Sequence, residues 1–243
     1  MFKLNLYKNF FIALSISFIL FSSSSFAKEN VEDALYMDTS VFKIDSILPP
    51  PPSLDSVSNK LELDFMKNKI AKLSNAEKDL AVKDALNESV NFFADVLPGF
   101  DIDKLPKTKI LFDKVKYNAG YESKLFKNHF TSKRPYQVDK DIHACVPPKP
   151  SNLDRSYPSG HTTMGYAMGI VLANLIPSKS IEIMERTRLY GENRINCGAH
   201  YPFDVAGGQV LGTLVAIELL KNSEFKILID AARDELVKAG FTQ

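Results

Sequence analysis

Several features that usually direct a first reading are missing from this chain. Its 243 residues carry 30 Lys plus Arg against 29 Asp plus Glu, a formal net charge of +1, so no global field draws it to nucleic acid or anionic lipid. Any anion site must therefore be local. There is no alternating strand pattern with hairpin turns, no internal repeat, and no low-complexity tract beyond one proline run and the serines near the start. Close His/Cys pairs with metal-ligand spacing are absent too. After the N-terminal run, no apolar stretch is expected to reach spanning length. Val205 to Leu220 carries Gln209 and Glu218, and the run before Pro177 is short. Cysteine is limited to Cys145 and Cys197.

What is present begins with an export signal over residues 1–27. Lys3 and Lys8 precede an apolar run from Asn9 to Phe21, and Ser22 to Ala27 is small and polar, with cleavage expected after Ala27. The alternative is a membrane anchor, for which the run falls short of the ~20 residues a spanning helix needs. The expected product is a periplasmic or secreted protein with no stable membrane insertion. In such an oxidising compartment the two cysteines read as a disulfide, the alternative being two buried thiols. Apolar residues make up 45% of the chain, enough for one sizeable core and one domain.

Residues 28–60 read as an arm, with prolines from Pro49 to Pro52 favouring extended backbone. From Leu61 the period turns helical, and residues 61–243 are expected to form a single all-α bundle. The expected helices are Leu61 to Leu73, Ala76 to Leu97 with Asn75 as N-cap, and Phe112 to Phe130 with an interruption near Gly120. Four more follow: Thr162 to Leu175, Ser180 to Asn193, Pro202 to Leu220 loosened by Gly207, Gly208 and Gly212, and Glu224 to Ala239.

Three clusters carry the chemistry. Lys127 and Arg134 are nearly two helical turns apart, so both cations share a face, and Pro135 swings Arg134 beyond the helix end. Taken alone, they read as a solvated surface stripe. Ser156 to Thr162 is a polar turn feeding an apolar helix, where free amides and the helix dipole favour an anion at Ser159 and Gly160. Ordinary capping by Ser159 or Thr162 fits the same residues. In the third cluster His200 and Asp204 are four apart at a helix opening, so a carboxylate reaches one imidazole nitrogen and leaves the other free to attack. Alternatively, Asp204 only complements the helix terminus.

Together these residues read Lys-x6-Arg-Pro, Pro-Ser-Gly-His and Arg-x5-His-x3-Asp. The pattern resembles the type 2 phosphatidic acid phosphatase and vanadium haloperoxidase superfamily, and within it the class A bacterial nonspecific acid phosphatases. The likeness includes the export signal, the early prolines, His129, Ser-Tyr before Pro158, and Cys-Gly-Ala-His at 197–200. Two positions depart from it: Asn193 stands where the family has Ser, and Arg155 where it has Gly.

The resemblance implies a helical bundle of the acid phosphatase/haloperoxidase type and a metal-independent acid phosphatase with no cofactor. In that scheme Lys127, Arg134, Ser159, Gly160 and Arg194 hold phosphate. His200 is the nucleophile, Asp204 supports it, and His161 is the general acid and base. Partners are small phosphate monoesters, with nucleic acid excluded and a homo-oligomer allowed. A vanadium haloperoxidase, a lipid phosphatase, or a phosphate-binding protein without catalysis would use the same pocket. His129 and His143 are expected to be structural.

Overall fold

The computed structural model describes residues 35–243; the expected export signal and the start of the arm lie outside these residues. The described chain is mainly helical, with no strand among the described residues. Its α-helices are α1 (Ile44–Ile47), α2 (Val57–Ala71), α3 (Asn75–Leu86), α4 (Pro106–Phe130), α5 (Pro135–Val138), α6 (Gly160–Leu175), α7 (Ser180–Asn196), α8 (Pro202–Lys221) and α9 (Ser223–Lys238). The all-α expectation holds.

Helix α6 is central, packed on α8, α7 and α4, with α9 closing against α4. Its residues are buried nearly all round, including Ala167, Met168, Val171, Leu172 and Leu175, as expected of a helix with neighbours on every side. Glycines make the close contacts. A Cβ at Gly208 would stand 2.7 Å from Ser159 O and 2.8 Å from Thr162 Cβ, so this residue brings α8 against the start of α6 instead of loosening its own helix. Helix α8 also departs from the expectation about spanning runs. Its 20 residues are long and apolar enough to cross a membrane by length and composition. Val205, Leu211, Val215, Ala216 and Leu219 are buried in the protein interior, the pattern of a core helix.

The first half follows local signals that differ from the expected boundaries. Ser74, not Asn75, caps α3: its hydroxyl accepts from the Glu77 amide while the Glu77 carboxylate accepts from the Ser74 amide, a reciprocal cap. The helix stops at Leu86 instead of continuing to Leu97, because Asn87 turns extended and a 3-10 segment, Val90–Asp95, begins after Ser89. That break lets Phe92 stack on Tyr190 at 4.1 Å between ring centroids. Helix α4 begins at Pro106, ahead of the expected Phe112, and passes through Gly120 without interruption. It ends at Thr131 in left-handed backbone, φ 41°. The stretch ahead of α2 packs as well: Phe42 and Leu48 join the main core, and Tyr157 Oη donates to Pro49 O at 3.0 Å.

Candidate active site

The three sequence clusters meet where the start of α6, the end of α7 and the start of α8 converge on the α4 wall. Lys127 lies in the last turn of α4 and sends Nζ to two carbonyls, Arg155 O at 2.8 Å and Ser156 O at 3.0 Å. The shared helical face that the spacing implied is not formed, but Arg134 stands past the helix end, as Pro135 implied, in extended backbone, φ −78° and ψ 157°. The chain reversal nevertheless brings it back to Lys127. Its guanidinium donates to Asn152 O (3.0 Å), Ala199 O (3.0 Å) and Arg155 O (3.3 Å).

Arg194 reaches the same place from α7. Its Nε and Nη1 are buried without a hydrogen-bond partner. Buried guanidinium donors are rarely left unpaired, and this one lines the cavity, where an oxyanion would satisfy it. Ser159 caps α6, and its hydroxyl accepts from Thr162 Oγ1 at 2.9 Å. Gly160 follows, where a Cβ would press on Ser123 Oγ at 3.2 Å and on Lys127 Cε at 3.5 Å, so glycine lets this turn lie against the lysine.

His200 sits at the bottom, 1% exposed. Its Nδ1 is 3.2 Å from Asp204 Oδ2, and its Nε2 is 2.9 Å from Arg134 Nη1. A guanidinium only donates, so Nε2 must accept, which places the ring proton on Nδ1 facing the carboxylate. The Nε2 lone pair therefore points into the cationic cup. Asp204 plays both parts its spacing allowed. The same Oδ2 accepts from the Tyr201 amide at 3.0 Å, capping α8, and from Ser156 Oγ.

His161 opens α6 on the other wall. Its Nε2 lies 3.2 Å from Ala85 O and 3.6 Å from Glu88 Oε1, and its ring stacks on Tyr190. The inner lobe, about 370 Å3, joins an outer lobe of about 570 Å3 that runs under residues 146–149 and Tyr136. Cys145 and Cys197 are disulfide-bonded and tie that outer loop to the end of α7.

Electrostatics follow from crowding cations in a dry place. Burial, then Arg134, hold the Lys127 ammonium well below its ordinary value, and burial brings Arg194 down to about 10. Burial, followed by Arg134 and Lys127, also holds His200 well below its ordinary value. Burial and then Arg194 depress His161. Burial pushes Asp204 up to about 6 against the opposing pull of Ser156 and Lys127.

Asn193 has a structural explanation. Its amide donates to Asp84 Oδ2 at 2.7 Å, and this buried carboxylate pairs in two-pronged fashion with Arg186. The network holds the end of α7, and with it Arg194, to α3. His129 binds Asp45 at the surface, 2.8 Å away, while the carbonyl of His143 lies under Gly198. Ser123, Glu88 and Asn152 were not singled out from the sequence. Among the described residues, no group of three or more His, Cys, Asp or Glu side chains is arranged to hold a metal ion.

The PAP2 superfamily matches residues 116–227. An acid phosphatase of Zymomonas mobilis subsp. mobilis is 38% identical over 115 residues, covering 46% of this chain and 43% of the relative, so the match spans less than half of that protein. A non-specific acid phosphatase of Providencia stuartii is 29% identical over 79% of this chain and 80% of its own length. Another from Salmonella typhi is 28% identical over 78% of each. The similarity to the PAP2 superfamily thus lies in residues 116–227, and similarity to proteins named non-specific acid phosphatase extends over most of the chain.

Proposed function

We propose that this protein is an exported acid phosphatase that hydrolyses small phosphate monoesters of broad structure through a phosphohistidine, without a metal ion. The observation that carries the reading is the His200 ring held between Asp204 and Arg134, which leaves a neutral Nε2 aimed into the cup. Names of the relatives point the same way.

In this reading Lys127, Arg134, Arg194, Ser159 and the Gly160 amide hold the phosphoryl oxygens, and the fixed cations stabilise charge as it spreads in the transition state. His200 Nε2 attacks phosphorus. The P–N bond forms as the P–O bond to the leaving group breaks, and the imidazolium produced rests on Asp204. Because Ala85 O holds the Nε2 proton of His161, Nδ1 is the nitrogen that gains and loses a second proton. It delivers this proton to the departing alkoxide. It then takes one from water, whose oxygen attacks phosphorus and breaks the P–N bond, releasing phosphate and neutral His200.

The lowered His161 pKa means that its acid form is scarce except in acid, so turnover of esters with poor leaving groups falls as pH rises. A bound phosphate offsets the neighbouring cations and moves the value back up. Export rests on residues 1–27 and would place the disulfide in an oxidising compartment.

The test is hydrolysis of p-nitrophenyl phosphate with chelator present, by the wild type and by His200→Ala and His161→Ala. Expected are unimpaired wild-type turnover, near-complete loss in His200→Ala, and an acid-labile phosphoenzyme trapped by quenching. Near-normal turnover in His200→Ala, or loss on chelation, overturns the reading.

A further inference from the structure

The inner lobe holds more positive charge than a single phosphoryl group needs. Its α4 wall is formed by Lys116, Gly120, Ser123, Lys124 and Lys127, positions three and four apart that share one helical face. Lys127 belongs to the cup, whereas Lys124 and Arg155 do not. Arg155 lines the same lobe and gives Nη1 to Asn128 Oδ1. Asn128 is one turn beyond Lys124 on α4, so the Arg155 guanidinium is anchored one turn along α4 from Lys124, and both cations line the same lobe. The Arg155 carbonyl is already used, accepting from Lys127 and Arg134; only its side chain is available.

Neither cation is neutralised from within. Among the residues lining the lobe the one acid is Glu88, on the opposite wall, with Oε2 3.5 Å from Lys116 and Oε1 3.6 Å from His161. Elsewhere, exposed lysines sit beside carboxylates: Lys109 with Asp113, Lys179 with Glu182, Lys221 with Glu218, Lys226 with Asp230. Lys124 and Arg155 form no such pair among the described residues. Gly120 keeps the ground before them open, since a Cβ there would meet nothing within 4 Å. In a chain of net charge +1, this local excess is a recognition feature.

We propose that Lys124 and Arg155 form a second anion subsite for the leaving group, so that preferred esters carry a carboxylate or a further phosphate beyond the one removed. This rests on the phosphatase reading. Arg155 occupies a position where the resembled family has glycine, so the subsite belongs to this chain's own loop.

The test is calorimetric binding of propylphosphonate and 3-phosphonopropionate, which differ only in a terminal methyl or carboxylate, at pH 6 and low salt. The carboxylate should tighten binding by about tenfold, and added salt should erode that preference because Lys124 is exposed and Arg155 is only partly buried. In Lys124→Ala/Arg155→Gln the preference should vanish while propylphosphonate affinity stays within about twofold of wild type. Equal wild-type affinities, or a preference that survives the double substitution, overturn the subsite. Selective binding without hydrolysis of p-nitrophenyl phosphate would keep the subsite and overturn the phosphatase reading. Failure of both phosphonates to bind overturns both.

Discussion

One oxygen of Asp204 receives the Ser156 hydroxyl, the Tyr201 amide and His200 Nδ1–H, so a change that keeps its shape but removes its charge separates its roles. In Asp204→Asn the amide oxygen still caps α8, but in the proposed mechanism no carboxylate would face the imidazolium formed by attack on phosphorus. Nδ1–H also loses its reason to be the protonated nitrogen. The expected result is a fall in kcat of about a thousandfold, by analogy with carboxylate-to-amide changes beside catalytic histidines, with a KM change far smaller than the loss in kcat. Steady-state kinetics on p-nitrophenyl phosphate, alongside a melting curve showing an intact fold, makes the check. A kcat within tenfold of wild type would mean that Asp204 serves α8 alone.

At the scale of elements, the site depends on how closely α8 and α6 approach. Gly208 has Ser159 O and Thr162 Cβ where its own Cβ would be, and Ser159 is both the N-cap of α6 and part of the cup. Gly208→Ala must therefore push the two helices apart at the cup itself. Overpacking of this kind costs about 1–3 kcal/mol, read as a lower urea midpoint, and turnover should fall with it because Ser159 moves.

The helices around this contact were legible because punctuation matches packing: Pro177 follows α6 and Pro202 opens α8. Around α3 the signal was misread. Apolar residues continue past Leu86, so periodicity alone carried the helix on to Leu97, although Ser74 and Glu77 marked the start and Ser89 a new cap. The charged members of the cup were readable as side chains. Much of what orients them was not, since Arg155 O, Asn152 O, Ala199 O and Ala85 O are backbone atoms that any residue would supply.

For the whole molecule, buried ionisable groups make stability depend on pH in opposed ways. Burial raises Glu62 and Glu122 to about 7, so these carboxylates hold protons in the folded state at pH values where the unfolded chain has lost them. Their contribution is complete below the ordinary value of 4.5 and disappears as pH rises through about 7. The depressed His161 and His200 act the other way, withdrawing stability as pH falls below 6.5. Glu122 isolates the first effect, because it is fully buried in α4 and neither carboxylate oxygen has a hydrogen-bond partner. Replacing it with Gln keeps size and polarity and removes only the charge. Near pH 4 the two proteins should unfold at the same urea concentration. By pH 8 Glu122→Gln should be the more stable by about 3 kcal/mol, the free energy of holding an unpaired carboxylate ionised in that place. Urea titrations at both pH values decide the matter. An equal difference between wild type and variant at pH 4 and pH 8 would show that Glu122 is not the proton acceptor its burial makes it.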